Sequence, residues 1–248
     1  MTGLARKVGV VLAAGFGSRL ASEEGESQPK PLIRVGGTPL ILRAVRGLEI
    51  AGCDEVVVVL GFGAPGIRAG LEDEYGGGVP LHFVINERFD LQNGVSVLAA
   101  APRIDNLFVL VMADHLVSDD VMQRAGAHTP VDDGATLLVD YRVDSIFDMD
   151  DATKVLEVEG RITSIGKTIA EFNCVDTGVF VCTVGLLNAL QHQFDLQGDA
   201  SLSDGVQKLA ASGLMRVLDI EDGFWQDVDT PEMLAFAQKS IAELSRRS

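Results

Sequence analysis

VGVVLAAGFGSRLASEEGESQPKPLIRVGGTPLI, residues 8 to 41, is the stretch from which the rest of the chain can be read. Val8 to Ala14 is a run of small and β-branched apolar residues, the composition of a strand buried on both faces. It ends at Gly15 and Gly17, where the backbone can turn sharply and lie close to a ligand. Arg19 follows, and then Ala21 to Gln28, a segment too acidic and too poor in apolar side chains to pack as a core element; it reads as a flap. The flap closes on Lys30 between Pro29 and Pro31, which places an ammonium on a stiff, extended segment. A glycine-rich strand end alone can be no more than a tight βα turn. Together with the arginine and the clamped lysine it describes a phosphate pocket. GFGSRL lacks the third glycine of the dinucleotide fingerprint, and no GxxxxGK followed by Ser or Thr occurs, so both of the better-known phosphate loops are excluded. The remaining reading is a nucleoside triphosphate site of another architecture.

With 248 residues and 47% hydrophobic content, the chain can bury a sizeable core as one large domain. Its 20 Lys plus Arg against 36 Asp plus Glu give a net charge of −16, which repels nucleic acid and anionic membrane. An acidic protein that handles phosphates needs a local cationic site and a divalent metal. Cys53, Cys174 and Cys182 are an odd count without CxxC, in apolar surroundings, and read as buried thiols in a cytoplasmic protein. No apolar run reaches the roughly 18 residues that span a bilayer. The start, MTGLARKVGVVLAAG, has the basic-then-apolar look of an export signal, but its short apolar part leads straight into the glycine turn and reads as the first strand.

Further along, Thr38 to Ala51 has helical spacing, with Thr38 as N-cap and Pro39 at the first helical position. Glu55 to Leu60 is the valine run of a central parallel strand, and Pro65 to Tyr75 supplies the returning helix. Residues 79 to 86 form a third strand. The next segment is a loop through Asn93 and Gly94 that opens into a helix from about Ser96, with backbone N–H groups facing a ligand. Residues 105 to 115 form a fourth strand stopping on Asp114. Ligands of a parallel α/β sheet lie at the carboxyl ends of its strands, where Gly15, the Asn93 loop and Asp114 converge. The second half is strand-rich over 134 to 143, 153 to 167 and 173 to 182, with a hairpin at Glu159-Gly160, and is expected to fold over the mouth of the parallel sheet. Two helices, a strand at Met215 to Ile220 and a terminal helix capped by Thr230 and Pro231 complete the chain. The expected organisation is one α/β domain over 1 to 248, with a nucleotide-binding half over 1 to 130 and an acceptor-binding half over 131 to 248.

The acidic candidates are Asp114, Asp227 and Asp229. The last two alternate in an extended segment and so point the same way, although Asp229 could instead cap the terminal helix. Converging carboxylates call for a divalent cation, and Mg²⁺ prefers carboxylate oxygen and bridges substrate phosphates. Lys167, at the end of a strand in the second half, can reach a second substrate's phosphate or stand as a solvated surface lysine. His115 tempts as a general base, but a phosphate monoester is already largely dianionic at neutral pH, with a second pKa of about 6. His115 is therefore read as structural or as a hydroxyl contact.

LAAGFGSRL with PKPL, an aspartate after strand four and the late WQDVDTPEM together resemble the sugar-phosphate nucleotidyltransferases over nearly the whole chain. VMADHLVSDD, DDATKVLEVEGRITSIGKTI, NCVDTGVFVC and GFWQDVDTPE are similar, within that superfamily, to the CTP:inositol-1-phosphate cytidylyltransferases. The resemblance implies a mainly parallel, Rossmann-like (GT-A-like) α/β sheet flanked by helices, with a smaller β-rich acceptor lobe. The implied reaction joins CTP and myo-inositol 1-phosphate into CDP-inositol and pyrophosphate. The resemblance assigns Leu12, Ala13, Ala14, Gly15, Gly17, Asn93, Gly94 and Ser96 to the nucleotide, and Arg19 and Lys30 to the reacting phosphates. It gives Asp114 and Asp227 to Mg²⁺, raising Asp227 over Asp229, and Lys167 to the acceptor phosphate. Thr177 and Gly178, with Asp150 or Asp151, line the acceptor ring. Any membrane-embedded CDP-alcohol transferase acting downstream is expected to be a separate protein. The same architecture also serves phosphocholine, aminoethylphosphonate and hexose 1-phosphates, and a non-catalytic nucleotide-binding regulator is the alternative from another class.

Overall fold

The computed structural model describes residues 6–16 and 28–244; Gly17, Arg19 and the acidic segment 21–27 lie outside them. In chain order the first half runs β1 (Lys7–Ala13), a 3-10 turn (Lys30–Leu32), β2 (Arg34–Val35), β3 (Thr38–Pro39), α1 (Leu40–Ile50), β4 (Glu55–Leu60), α2 (Ala64–Glu74), β5 (Leu81–Ile85), α3 (Asn93–Ala100), β6 (Leu107–Met112), β7 (His115–Val117) and α4 (Asp119–Ala127). The second half adds β8 (Ala135–Asp140), β9 (Lys154–Val158), β10 (Arg161–Gly166), β11 (Cys174–Cys182), α5 (Val184–Gln197), α6 (Leu202–Ala211), β12 (Met215–Asp219), β13 (Trp225–Asp227) and α7 (Pro231–Leu244).

A nine-stranded sheet of order β5-β4-β1-β6-β11-β8-β12-β10-β9 carries the fold. Its first four strands are parallel, with Leu12 opposite Val59 on one side and Met112 on the other. Period-two alternation sends successive β1 side chains to opposite layers. Val10 and Leu12 join one apolar layer with Val97 of α3, Leu190 of α5 and Val206 of α6. Val11 and Ala13 join the other with Val45 of α1, Ile67 of α2 and Met122 of α4. Each fully buried Val or Leu contributes about 1.5–3 kcal/mol, so the glycine turn and the aspartate turn are held at the edge of a rigid two-sided core. A Cβ on Gly9 would come within 2.8 Å of Leu48 Cδ1, and this glycine is what lets α1 lie so close to β1.

Three expectations are corrected. Thr38 and Pro39 pair with β2 in a short ribbon that holds their backbone extended, so α1 starts at Leu40 with Pro39, not Thr38, at its N-cap position and with no side-chain cap. Asn93 and Gly94 are not a loop but the first turn of α3, and Gly94 is buried where a Cβ would meet Ala200 O at 2.6 Å. The β-rich half, expected to fold over the mouth of the parallel sheet, continues that sheet instead: β6 pairs with β11, so both halves share one sheet. Its far end curls back, since β9 pairs with β10 on one side and with Cys174 and Val175 of β11 on the other.

The curl depends on a break in β11 between Asp176 and Phe180, where Gly178 adopts φ 78°. A Cβ there would overlap the His115 ring. Gly178→Ala is expected to lose about 2 kcal/mol or more, from a disfavoured backbone conformation plus the clash, measurable as a lower urea midpoint at unchanged m-value.

Candidate active site

The turn after β6 and the strand before α7 are brought together by a small ribbon. In it, β7 pairs with β13 so that His115 stands opposite Asp227, and Val228 donates to Asp114 O at 3.0 Å. Val35, Leu40, Leu116, Val228 and Ala237 form a separate apolar cluster beneath this ribbon. Lys30 enters from the Lys30–Leu32 turn, where Leu32 and Ile33 donate to Pro29 O and Lys30 O. Its side chain is 9% exposed, and Nζ donates to Asp114 Oδ2 at 2.5 Å and to Asp229 Oδ1. Burial acts to lower the Lys30 pKa, but the Asp114 and Asp229 charges overcome it and leave the value above the ordinary one. Burial likewise acts to raise Asp114, and the Lys30 ammonium with His115 carries it below the ordinary carboxylate value.

Beside this ion pair, Asp151, Asp227 and Asp229 each offer a carboxylate oxygen within 4.8 Å of the others. Asp227 is raised, by burial first and then by Asp229 and Asp114, against the opposing pull of His115 and Lys30. Three hard oxygen donors crowded at this range form a donor set that fits a divalent cation such as Mg²⁺. Asp229 belongs to this set because Thr230 takes the capping role, its Oγ1 accepting from Met233 N at 3.3 Å. Asp151 also accepts from Lys167 Nζ at 2.5 Å, which ties this lysine to the acidic group. Gln226, buried behind the ribbon, donates to Asp227 Oδ1 at 2.9 Å and to the Asp227 carbonyl, fixing that carboxylate.

The other expected residues separate into groups. Leu12, Ala13 and Ala14 are buried at the β1 end, and the Leu12 and Ala14 carbonyls accept from Ala113 and Phe62, while Gly15 is exposed. Asn93 Oδ1 accepts from Leu202 N at 2.8 Å, joining α3 to α6. Ser96 is buried and accepts from Asn86 Nδ2 at 3.0 Å; Asn86, at the end of β5, carries no motif signal in the sequence. Asp150 is exposed and lies outside the acidic group, whereas Asp151 lies within it. The Thr177 side chain turns away from the site, with its hydroxyl donating to Leu138 O at 2.8 Å in the core. His115 Nδ1 donates to Thr177 O at 2.9 Å, and Nε2 lies 3.7 Å from Asp114 Oδ1.

A cavity of about 140 Å³ opens next to His115 and is lined by Gly178 and by Asp176, a residue the motifs did not single out. Asp176 Oδ1 accepts from Gly178 N at 2.7 Å. Burial pushes its carboxyl up to about 6, against the Gly178 N–H and His115. The folded state therefore holds a proton that the unfolded chain releases near pH 4, and this contribution to stability declines as pH rises from about 4 to about 6. Asp176→Asn, which cannot titrate, is expected to flatten that part of the profile in urea melts at pH 4, 5 and 6.

The sequence profile of the MobA-like NTP transferase domain matches residues 9–148. The chain belongs to this family. Two curated relatives are each 33% identical to this chain and named as bifunctional IPC transferase and DIPP synthase. The protein of Archaeoglobus fulgidus aligns over 94% of this chain and 43% of its own length, and that of Rubrobacter xylanophilus over 93% and 51%. The chain thus spans about half the length of these relatives. The solved structure of the inositol-1-phosphate CTP transferase from T. maritima superposes with a TM-score of 0.77 at 29% identity, covering 95% of this chain and 97% of the other. Among the described residues, no helix is long and apolar enough to cross a membrane. Cys53, Cys174 and Cys182 are buried and unpaired to one another, with burial raising each thiol, Cys53 and Cys174 to about 12.

Proposed function

We propose that the chain is a Mg²⁺-dependent cytidylyltransferase that transfers CMP from CTP to myo-inositol 1-phosphate, forming CDP-inositol and releasing pyrophosphate. The observation that carries this reading is Lys30, buried between Asp114 and Asp229 beside the Asp151, Asp227 and Asp229 carboxylates. A buried cation beside converging carboxylates is suited to bringing polyanions together, and the names of the relatives suggest which polyanions these are.

An acceptor phosphate oxygen attacks the α-phosphorus of CTP; a new P–O bond forms and the bond to the β-phosphate oxygen breaks. The attacking group is already largely dianionic, so no residue has to remove a proton. His115 cannot accept one at Nδ1, which is engaged as a donor to Thr177 O. Lys30 holds the α-phosphate and offsets the charge that accumulates in the transition state. Lys167 plays the same part for the acceptor phosphate, exchanging its Asp151 partner for it. Asp227 would hold the metal together with Asp229 and Asp151, or together with Asp114 as the family resemblance implies; Asp227 is common to both sets. When bound, Mg²⁺ would neutralise the triphosphate and keep its oxygens in line for displacement.

The test is pyrophosphate release with all four nucleoside triphosphates against a panel of phosphorylated alcohols. CTP with inositol 1-phosphate is expected to give the highest kcat/KM, and removal of Mg²⁺ by chelation to reduce it to background. Turnover that strongly prefers another nucleotide or another acceptor would replace the corresponding half of the assignment. CTP binding without turnover of any acceptor would favour a regulatory module.

A further inference from the structure

The cavity beside His115 is built in two parts. Met112, Phe180 and Val206 give it an apolar floor, while Asn93, Thr153, Ser203 and Asp176 stand around it as polar groups. A flat ring with C–H bonds on its faces and hydroxyls on its edge matches that division, since its faces can lie on apolar side chains while its hydroxyls exchange hydrogen bonds with the polar ones. The cavity of about 140 Å³ has room for a small ring.

Asp176 is the carboxylate on this wall, and its two oxygens differ. Oδ1 accepts from Gly178 N at 2.7 Å, an arrangement that the break in β11 imposes, and the backbone N–H of Asp176 donates to Thr153 O at 2.9 Å. Oδ2 carries no hydrogen bond among the described residues. A carboxylate anchored through one oxygen and open through the other, beside an aliphatic floor, is suited to accept from hydroxyl groups. Quaternary ammonium groups are commonly met by an aromatic cage, whereas among the described residues Phe180 is the one phenyl ring on this wall.

We infer that Asp176 is a specificity-determining residue for the acceptor, accepting hydrogen bonds from adjacent ring hydroxyls and so selecting a polyhydroxylated ring phosphate over acceptors that lack those hydroxyls. The inference rests on the cytidylyltransferase reading above and adds a residue that the motifs did not assign. It also replaces Thr177, whose hydroxyl is committed to Leu138 O, as the side chain that reads the ring.

The experiment compares wild type, Asp176→Asn and Asp176→Ala with CTP and Mg²⁺. The acceptors are inositol 1-phosphate, analogues each lacking one ring hydroxyl, glucose 1-phosphate, phosphocholine and 2-aminoethylphosphonate. Asp176→Ala is expected to raise KM for inositol 1-phosphate about 10- to 100-fold, the loss of hydrogen bonds to a charged group, with kcat and the KM for CTP changed less than about twofold. Asp176→Asn should lie between the two. Removing the hydroxyls that Asp176 accepts from should cost the wild type about tenfold and cost Asp176→Ala nothing, a coupling that a purely structural role cannot produce.

Equal losses for CTP and acceptor, or the same loss with every deoxy analogue, would overturn the inference. So would wild-type preference for phosphocholine or aminoethylphosphonate that is lost with Asp176. If the wild type prefers glucose 1-phosphate and Asp176→Ala raises its KM, the inositol reading fails while the role of Asp176 stands.

Discussion

Lys30→Ala lowers kcat for pyrophosphate release by about 10³-fold, the effect of removing one preorganised charge that acts on the transition state. The KM for the acceptor should change far less, because Lys167 is untouched. The stability effect comes from the same geometry. Lys30 is buried between Asp114 and Asp229, so its removal leaves two carboxylates facing each other without a cation. Breaking a buried pair costs about 3 kcal/mol at the lower end of its range, the end that applies here because 33% of the Asp114 side chain is exposed. Circular dichroism and urea melts separate the two effects. Since the wild-type Lys30–Asp114 pair also holds the Asp114 carboxyl below its ordinary value, its contribution is present above about pH 4 and is lost as pH falls below that. Near-wild-type turnover in a folded Lys30→Ala protein would remove the lysine from the mechanism.

Asp227→Asn separates activity from stability in the opposite sense. The substitution keeps Oδ1 as an acceptor for Gln226 and deletes a charge that burial and the neighbouring Asp229 and Asp114 disfavour. In the absence of metal the variant should be at least as stable as wild type, as expected where function requires crowded like charges. Its activity should fall severely, and the Mg²⁺ concentration for half-maximal rate should rise by about 100-fold or more, since perturbing even an outer partner of a metal ligand costs about 10- to 100-fold. Magnesium titrations of initial rate, alongside thermal melts in EDTA, read both. An unchanged magnesium requirement would exclude Asp227 as a ligand and direct attention to Asp114.

Much of the fold was legible because the relevant signals are local. The valine run at Glu55–Leu60 and the hairpin turn at Glu159 and Gly160, both with positive φ, need no distant partner to be recognised. The errors arose where a partner intervened. Thr38-Pro39 has the composition of a helix start, but pairing with Arg34–Val35 converts it to a ribbon. Asn93 and Gly94 have loop composition, yet the Leu202 N–H and the close approach of Ala200 hold them as a helical turn. The strand pattern of the second half could not say that β6 would accept β11 as its neighbour, because strand order depends on which edges meet, not on the composition of either strand.

The candidate site divides in the same way. By itself the sequence determined that a strand ends in a glycine turn, that a lysine is clamped by prolines, and that carboxylates follow an apolar strand and precede the terminal helix; residue type and spacing carry those features. Only the tertiary structure decided that Lys30 lies between Asp114 and Asp229, that Asp151 joins Asp227 across more than seventy residues of chain, and that Asp176 lines the cavity while Thr177 faces the core. Side-chain direction at these positions follows from the β7–β13 ribbon and from the break in β11 at Gly178, and both are products of long-range pairing that no local window of sequence contains.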